Sequence, residues 1–300
     1  MTVESKNYGN CIFLHGDTLP EVWENAVLKC WENGFDFETQ YDKEGDPKSK
    51  DCYATLVIEN PFQEARIHKA FPAGLEDLEI YRQEVLFGVH DNWVDPDNGA
   101  WSYTYHDKLF NYKDNDGNEY YQIEEIIERL STTPFTRRAQ AITWNPFHDN
   151  LYEDPSCLQR VWCRIENGKL NMNVSMRSND AFKASFMNMY AFTDMQRYIA
   201  EEISKKRGEE IPVGRYIHQA DSFHIYGSYF EEFKKFVDRC KNTSFESRVI
   251  ESEDVKDFFD SGKIILLNNT QGHIPIMQYH WDRLYSELPE DRKSEVNKKD

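Results

Sequence analysis

The stretch from residue 154 to residue 188 constrains the fold more than any other, because it specifies a hairpin and what must follow it. Residues 161–166 and Lys169–Met176 are β-rich runs on either side of Asn167-Gly168. Asn-Gly is the pair preferred in a type I′ turn, where both central residues need positive φ. On the second run Leu170, Met172, Val174 and Met176 share one face, and Asn171, Asn173, Ser175 and Arg177 share the other. The first face reads as core. The second is polar, so Arg177 suits an aqueous pocket. Asp154-Pro155-Ser156-Cys157 forms a turn ahead of the hairpin, and Arg177-Ser178-Asn179-Asp180 leaves its second strand. A thiol becomes a useful nucleophile when its thiolate is favoured, which a nearby guanidinium does electrostatically. An Arg-Ser pair is also a natural phosphate clamp. With the amide of Asn188, these residues suggest covalent chemistry on a phosphorylated, hydrogen-bonding ring.

Helical spacing predicts helices over Leu19–Asn33 (stopping at Gly34), 75–88, 123–130 and 186–206 (stopping at Gly208). Residues 52–59 and 139–144 read as strands, and 41–51 as a loop. Residues 91–118 are aromatic and Asp/Asn-rich and read as a functional loop region. Residues 287–300 are charged and Lys-rich, as in a flexible tail.

A chain of 300 residues with 39% hydrophobic and 14% aromatic content is globular. Its net charge of −18 argues against nucleic-acid binding, which needs clustered Lys and Arg. The six cysteines are scattered without a CxxC spacing, so no metal site and no disulfide framework is indicated. No apolar run approaches the ~18 residues of a membrane span. The first residues lack the basic and apolar regions of a signal peptide, so the expected location is cytoplasmic.

Taken in order, the motifs resemble the thymidylate synthase family, which includes pyrimidine nucleotide hydroxymethylases. The resemblance runs over residues 103–237: Tyr103-Thr104-Tyr105, then Arg137-Arg138, then Pro155-x-Cys157. Asn167-Gly168, Arg177-Ser178-x-Asp180, Asn188 and His224-x-Tyr226 follow. Each residue type taken singly is more often structural than chemical. Seven motifs in one family's order are not.

The resemblance implies an α+β (α/β) fold: one thymidylate synthase-like domain over 1–300, with a mixed twisted sheet. Helices would pack on one face and the other would make a homodimer. Residues 1–60 and 240–300 lie outside the match and could decorate the folate site. It also implies one-carbon transfer from methylenetetrahydrofolate to C5 of a pyrimidine deoxynucleotide, with dUMP favoured. Cys157 would add to C6. Arg177 would contact thiolate and phosphate, and Ser178 would complete the phosphate site with Arg137 and Arg138 donated across the dimer. Asn188 would read the O4/N3 edge of uracil, His224 and Tyr226 would hold the sugar hydroxyl, and Asp180 would contact the pterin. Tyr105, on the family's tyrosine-bearing strand, would join the water network near the thiol. Glu84 is the candidate general-base glutamate, with Glu79 as rival.

The chain departs from ordinary thymidylate synthases at Leu158, where many have His, and at Met176, where a glutamine usually precedes the arginine. Lys183-Ala184-Ser185-Phe186 replaces the usual Leu-Gly-x-Pro-Phe, and the final residues, 297–300, differ from the family's small apolar lid. These departures lean towards hydroxymethylation. Reductive methylation to dTMP, a cytidylate hydroxymethylase and a non-catalytic nucleotide binder stay open, and a cysteine hydrolase using Cys157 and His224 lacks any local signature.

Overall fold

The computed structural model describes residues 4–7, 10–269 and 274–297. The chain divides into two compact units. The first draws on Met1–Pro72, Gln122–Ile142 and Cys157–Ser252, the second on Ala73–Tyr121, Thr143–Ser156 and Glu253–Asp300.

The chain opens with β1 (Glu4–Asn7), β2 (Cys11–Gly16), α1 (Leu19–Asn33), β3 (Phe35–Phe37), β4 (Ser49–Ile58) and β5 (Ile67–His68). Then come α2 (Leu75–Phe87), α3 (Tyr105–Phe110), the short pair β6 (Tyr112–Lys113) and β7 (Glu119–Tyr120), and α4 (Gln122–Thr132). Strands β8 (Gln140–Ile142), β9 (Leu158–Glu166), β10 (Lys169–Met176) and β11 (Asn179–Asp180) precede α5 (Ser185–Arg207) and β12 (Val213–Ile225). The last elements are α6 (Phe230–Asn242), α7 (Phe245–Arg248), β13 (Val249–Ile250), α8 (Lys256–Asn268) and α9 (Gln278–Glu287).

Among the described residues the first unit holds a nine-stranded mixed sheet in the order β1-β2-β4-β12-β10-β9-β8, with β3 on β4 and β11 on β12. The β9–β10 hairpin closes as its sequence predicts: Glu166 pairs with Lys169, and Asn167 and Gly168 have φ of 51° and 74°. β10 and β12 are parallel, so the chain must cross over between them, and α5 is that crossover. Leu170, Met172, Val174 and Met176 are at most 1% exposed on the face that α5 packs against. α1 packs against β2, β4 and β12, and α4 against β8 and β9. The opposite rows are not covered within the unit. Register aligns Phe13, Thr55, Gln219, Ser175, Arg160 and Ile142 across six strands, and Phe13 and Ile142 are exposed.

Several expectations change. Residues 1–60 are not decoration: they supply β1 to β4 and α1, and β4 lies between β2 and β12 inside the sheet. Ser49–Asp51, expected in a loop, belong to β4, because pairing with β12 extends that strand to the Ile225↔Lys50 register. The stretch 91–118 is not simply a loop. It contains α3, and Trp93, Tyr105 and Leu109 are buried. Tyr105 opens a helix rather than lying on a strand, because Thr104 caps that helix by accepting the Asp107 N–H at 3.0 Å.

In the second unit α2 packs against α8. Gly262 permits the approach, since a Cβ there would meet the Glu76 carbonyl oxygen at 2.7 Å. Ile80, Val89, Ile264, Leu284, Leu288 and Val296 form its core. The expected tail is therefore wrong for 288–297, where Leu288 and Val296 are buried despite the charged residues around them. Residues 298–300, part of that expectation and of the lid argument, lie outside the described residues.

A buried ion cluster joins α1, β5 and α7. Glu24 accepts from Arg248 Nη2 at 2.6 Å and Nε at 2.7 Å, and lies 2.8 Å from His68 Nε2. Burial pushes the Glu24 carboxyl up, but His68 and Arg248 outweigh it and hold it at about 2 against an ordinary 4.5. A depressed carboxylate stabilises the fold above pH 4.5 and loses that contribution as pH falls towards 2. The contribution is roughly 3 kcal/mol. Arg248→Ala strands Glu24 and is expected to cost about 3–5 kcal/mol in urea unfolding at neutral pH, and to shrink the acid-side loss of stability. An unchanged unfolding midpoint would rule the cluster out as a stabilising element.

Candidate active site

Cys157 stands half-buried immediately before β9, and Arg177 immediately after β10. One step inside them Leu158 pairs with Met176, and the Arg177 N–H donates to the Cys157 carbonyl at 2.8 Å. The cysteine and the arginine are thus neighbours across the ladder, because the hairpin's register brings its two ends together. Ser178 follows, half-buried.

β11 then pairs with β12 in parallel, setting Asn179 against Phe223 and Asp180 against His224. On the other side of β12, His224 pairs with Asp51 of β4. Asp180, His224 and Asp51 therefore form one row over three strands. An irregularity in β12 between Ala220 and Phe223 sets this register. Ser222 Oγ donates to Asp51 Oδ2 at 2.7 Å and lies 3.1 Å from His224 Nδ1. His224 is 5% exposed and its Nε2 has no hydrogen-bond partner among the described residues. Burial lowers the His224 pKa against the pull of Asp180 and Asp51, so the ring is neutral at neutral pH. Burial also raises the Asp51 carboxyl, against the pull of Ser222 and His224. The Tyr226 ring meets His224 edge-on at 4.6 Å.

Asp180 shapes the turn into α5. Its Oδ1 accepts the N–H groups of Phe182 and Lys183 at 3.0 and 2.8 Å, and its Oδ2 accepts the Tyr229 hydroxyl at 2.6 Å. Burial and the Asp180 charge hold the Tyr229 phenol well above its usual range. The Ala181 N–H donates to the His224 carbonyl at 2.7 Å, while its carbonyl accepts from Trp23 Nε1 at 3.1 Å and Ser185 Oγ at 2.6 Å. So anchored, α5 carries Asn188 in its first turn, 5% exposed, with its N–H bonded to the Ala184 carbonyl at 2.9 Å.

A second polar chain runs beneath this row. Tyr216 Oη lies 2.9 Å from His218 Nδ1, and His218 Nε2 lies 2.8 Å from Asn179 Oδ1. Burial pushes His218 down to about 3, so it stays neutral. The imidazole then donates through Nε2 to Asn179 and accepts the tyrosine hydroxyl, holding the middle of the Arg-Ser-Asn-Asp run from below. Sequence reading missed His218, Asn179 and Asp51. Their partners lie on other strands, and no local spacing marks them.

Arg137 and Arg138 precede β8 and are exposed. Trp162 Nε1 donates to the Arg137 carbonyl at 3.1 Å. Neither guanidinium meets a carboxylate among the described residues.

In the second unit the two candidate glutamates differ. Glu79 is 1% exposed and both its oxygens are taken, by Arg82 at 2.7 and 2.8 Å and by Gln83 at 2.6 Å. The Glu84 carboxylate meets His90 Nδ1 at 2.8 Å, and His90 stacks on Trp93 with ring centroids 3.9 Å apart. Tyr105 is 8% exposed beside the Tyr103 ring.

The family model described as thymidylate synthase matches residues 71–275. A Methanocaldococcus jannaschii protein provisionally named thymidylate synthase is 31% identical over 230 residues, 74% of this chain and 95% of that one. The thymidylate synthase of Bacillus mojavensis is 28% identical over 277 residues, 87% of this chain and 92% of that one. The solved thermostable thymidylate synthase A of Bacillus subtilis superposes with a TM-score of 0.55 at 20% identity, over 73% of this chain and 83% of that one, which supports the fold. No helix among the described residues is long and apolar enough to cross a membrane.

Among the six cysteines, Cys30, Cys52 and Cys163 are buried. Burial pushes Cys163 up to about 12, and the adjacent Cys52 thiol together with burial pushes Cys30 up. Native iodoacetamide labelling is expected at Cys157 and the exposed Cys11 and not at those three. Arg177→Ala should slow labelling of Cys157 about tenfold and leave Cys11 unchanged. Peptide mass spectrometry reads both, and equal slowing at the two sites would dissociate Arg177 from the thiol.

Proposed function

The chain belongs to the thymidylate synthase family, and on that premise we propose that it transfers one carbon to C5 of deoxyuridylate through a covalent adduct at Cys157. The observation that carries this reading is the placing of Cys157 beside Arg177 at one end of the β9–β10 ladder. Methylenetetrahydrofolate, the co-substrate, supplies the carbon. C5 of free uracil is a poor nucleophile, and addition of the Cys157 thiolate at C6 gives it enolate-like character. Arg177 favours the thiolate by its charge and, with Ser178, holds the 5′-phosphate.

Asn188 offers the base edge both a donor and an acceptor, matching N3 and O4 of uracil. His224 and Tyr226 take the sugar hydroxyl. Asp180 fits a donor-rich pterin: a carboxylate accepts about four hydrogen bonds, and the turn and Tyr229 occupy only part of that capacity. The general-base role falls to Glu84, since Glu79 is consumed by Arg82 and Gln83. Tyr105 keeps the role that the resemblance assigns it.

Two exposed arginines that meet no carboxylate among the described residues are conspicuous in a chain of net charge −18. Arg137 and Arg138 are therefore assigned to the phosphate of a second copy. The homodimer would form through the uncovered sheet face, where Phe13, Tyr53 and Ile142 are exposed.

For the product, the departures at Leu158 and Met176 are informative because they come as a pair. The two are cross-strand partners, 0% and 1% exposed, next to Cys157 and Arg177. Where many relatives place histidine and glutamine, this chain packs hydrocarbon. That concerted change in the buried packing next to the nucleophile supports a different fate for the methylene on C5: water completes it to a hydroxymethyl group. Reductive methylation is the second reading, favoured by the likeness to the Bacillus mojavensis enzyme over 87% of the chain.

The test uses dUMP tritiated at C5 with methylenetetrahydrofolate. Tritium release is expected, and Cys157→Ser should reduce it by on the order of a thousandfold or more. Absence of release with dUMP, dCMP, UMP and CMP alike would remove the enzyme reading. Product mass distinguishes hydroxymethyl from methyl, and only the methyl route raises dihydrofolate absorbance. Asn188→Asp is expected to shift the kcat/KM ratio from dUMP towards dCMP by about tenfold or more, because a buried mismatched acceptor is costly.

A further inference from the structure

We infer that Asp51 and Ser222 form a positioning relay that keeps the His224 proton on Nδ1, leaving Nε2 as an acceptor for a hydroxyl donated by the nucleotide sugar. The inference rests on the reading of this site as a nucleotide pocket, and adds residues and a hydrogen-bond polarity to it.

The number of hydrogens available fixes the polarity of the chain. A serine hydroxyl has one hydrogen and can donate once. Ser222 donates it to Asp51 Oδ2 at 2.7 Å, so its oxygen can only accept from the ring nitrogen 3.1 Å away, His224 Nδ1. The imidazole carries a single N–H when neutral, and that hydrogen is then on Nδ1. Nε2 is left with a bare lone pair. It is buried, without a partner among the described residues, in a side chain 5% exposed. Such an acceptor calls for a donor.

The relay depends on tertiary register. Asp51 is the cross-strand partner of His224, and Ser222 lies two residues before His224 on the same strand. The contrast with His218 is instructive. Its two nitrogens are both bonded, to Tyr216 and Asn179, and it is closed to any ligand. His224 has one nitrogen bonded and one open.

A hydroxyl both donates and accepts, whereas fluorine of similar size only accepts. An acceptor Nε2 therefore prefers a nucleotide with the sugar hydroxyl to its deoxyfluoro analogue. Asp51→Asn inverts the chain: the amide donates to Ser222, which then donates to Nδ1, and the ring proton moves to Nε2. That variant meets fluorine without a clash of lone pairs.

Nitrogen-15 NMR of the full chain reads the tautomer directly, with His224→Gln identifying the resonances. Wild type is expected to show Nδ1–H at His224, and Asp51→Asn to show Nε2–H. The Nε2–H tautomer in wild type overturns the relay, and this measurement needs no variant of Asp51 to fold. Calorimetry with dUMP and its 3′-deoxy-3′-fluoro analogue is the second arm. Wild type should prefer dUMP about tenfold, and Asp51→Asn and Ser222→Ala should narrow that preference to about twofold. An unchanged preference in variants whose tautomer has moved overturns the assignment to the sugar hydroxyl. Failure of both nucleotides to bind a wild-type protein with the expected tautomer overturns the nucleotide reading and leaves the relay standing.

Discussion

The parallel pairing of β10 with β12 is the constraint on which the rest of the first unit depends. Parallel neighbours cannot be joined by a tight turn, so a crossover must leave the sheet and return, and α5 fills that place. The consequence is chemical. The C-terminal ends of β10 and β12 lie at the same end of the sheet, and the start of the crossover helix is anchored between them by the Ala181–His224 backbone bond. Arg177, Asn188 and His224 come from three elements, yet one topological fact brings them to one place. Ligands in sheets of this kind gather at such ends for the same reason.

Three buried histidines show how one residue type is used in different ways. His68 meets Trp23 edge-on and joins Glu24 and Arg248 in an ion cluster that ties α1 to the later helices. His218 is closed on both sides, and burial keeps it neutral. His224 is bonded on one side only. The difference lies in the number of partners, and that number follows from strand register. A fully satisfied histidine stabilises and orients; a half-satisfied one is available to a ligand.

The sheet's two faces divide the labour. One is covered by α1, α4 and α5 and contains the apolar rows of β10. The other carries aromatic and charged side chains in register and is left open within the unit. The second unit has its own core, in which the approach of α8 to α2 is allowed by Gly262 and completed by Leu288 and Val296 from a stretch dominated by charge. Burial of two apolar residues outweighed local composition there, which is why the composition misled.

The sequence by itself determined the local elements. The Asn-Gly turn, the alternation along β10 and the apolar spacing of α1 and α5 are short-range properties, and the structure reproduces them within a few residues. It also determined the chemistry-bearing residue types around Cys157, because their order along the chain is distinctive. Thr104, whose local bond to Asp107 caps a helix where the resemblance implied a strand, carried a signal that the resemblance masked. Tertiary structure alone decided which residues face one another across distant strands: Asp51 with His224 and Asn179 with His218. Pairing of this kind depends on strand register and burial, which are set by contacts between distant segments and leave no periodic trace in the chain.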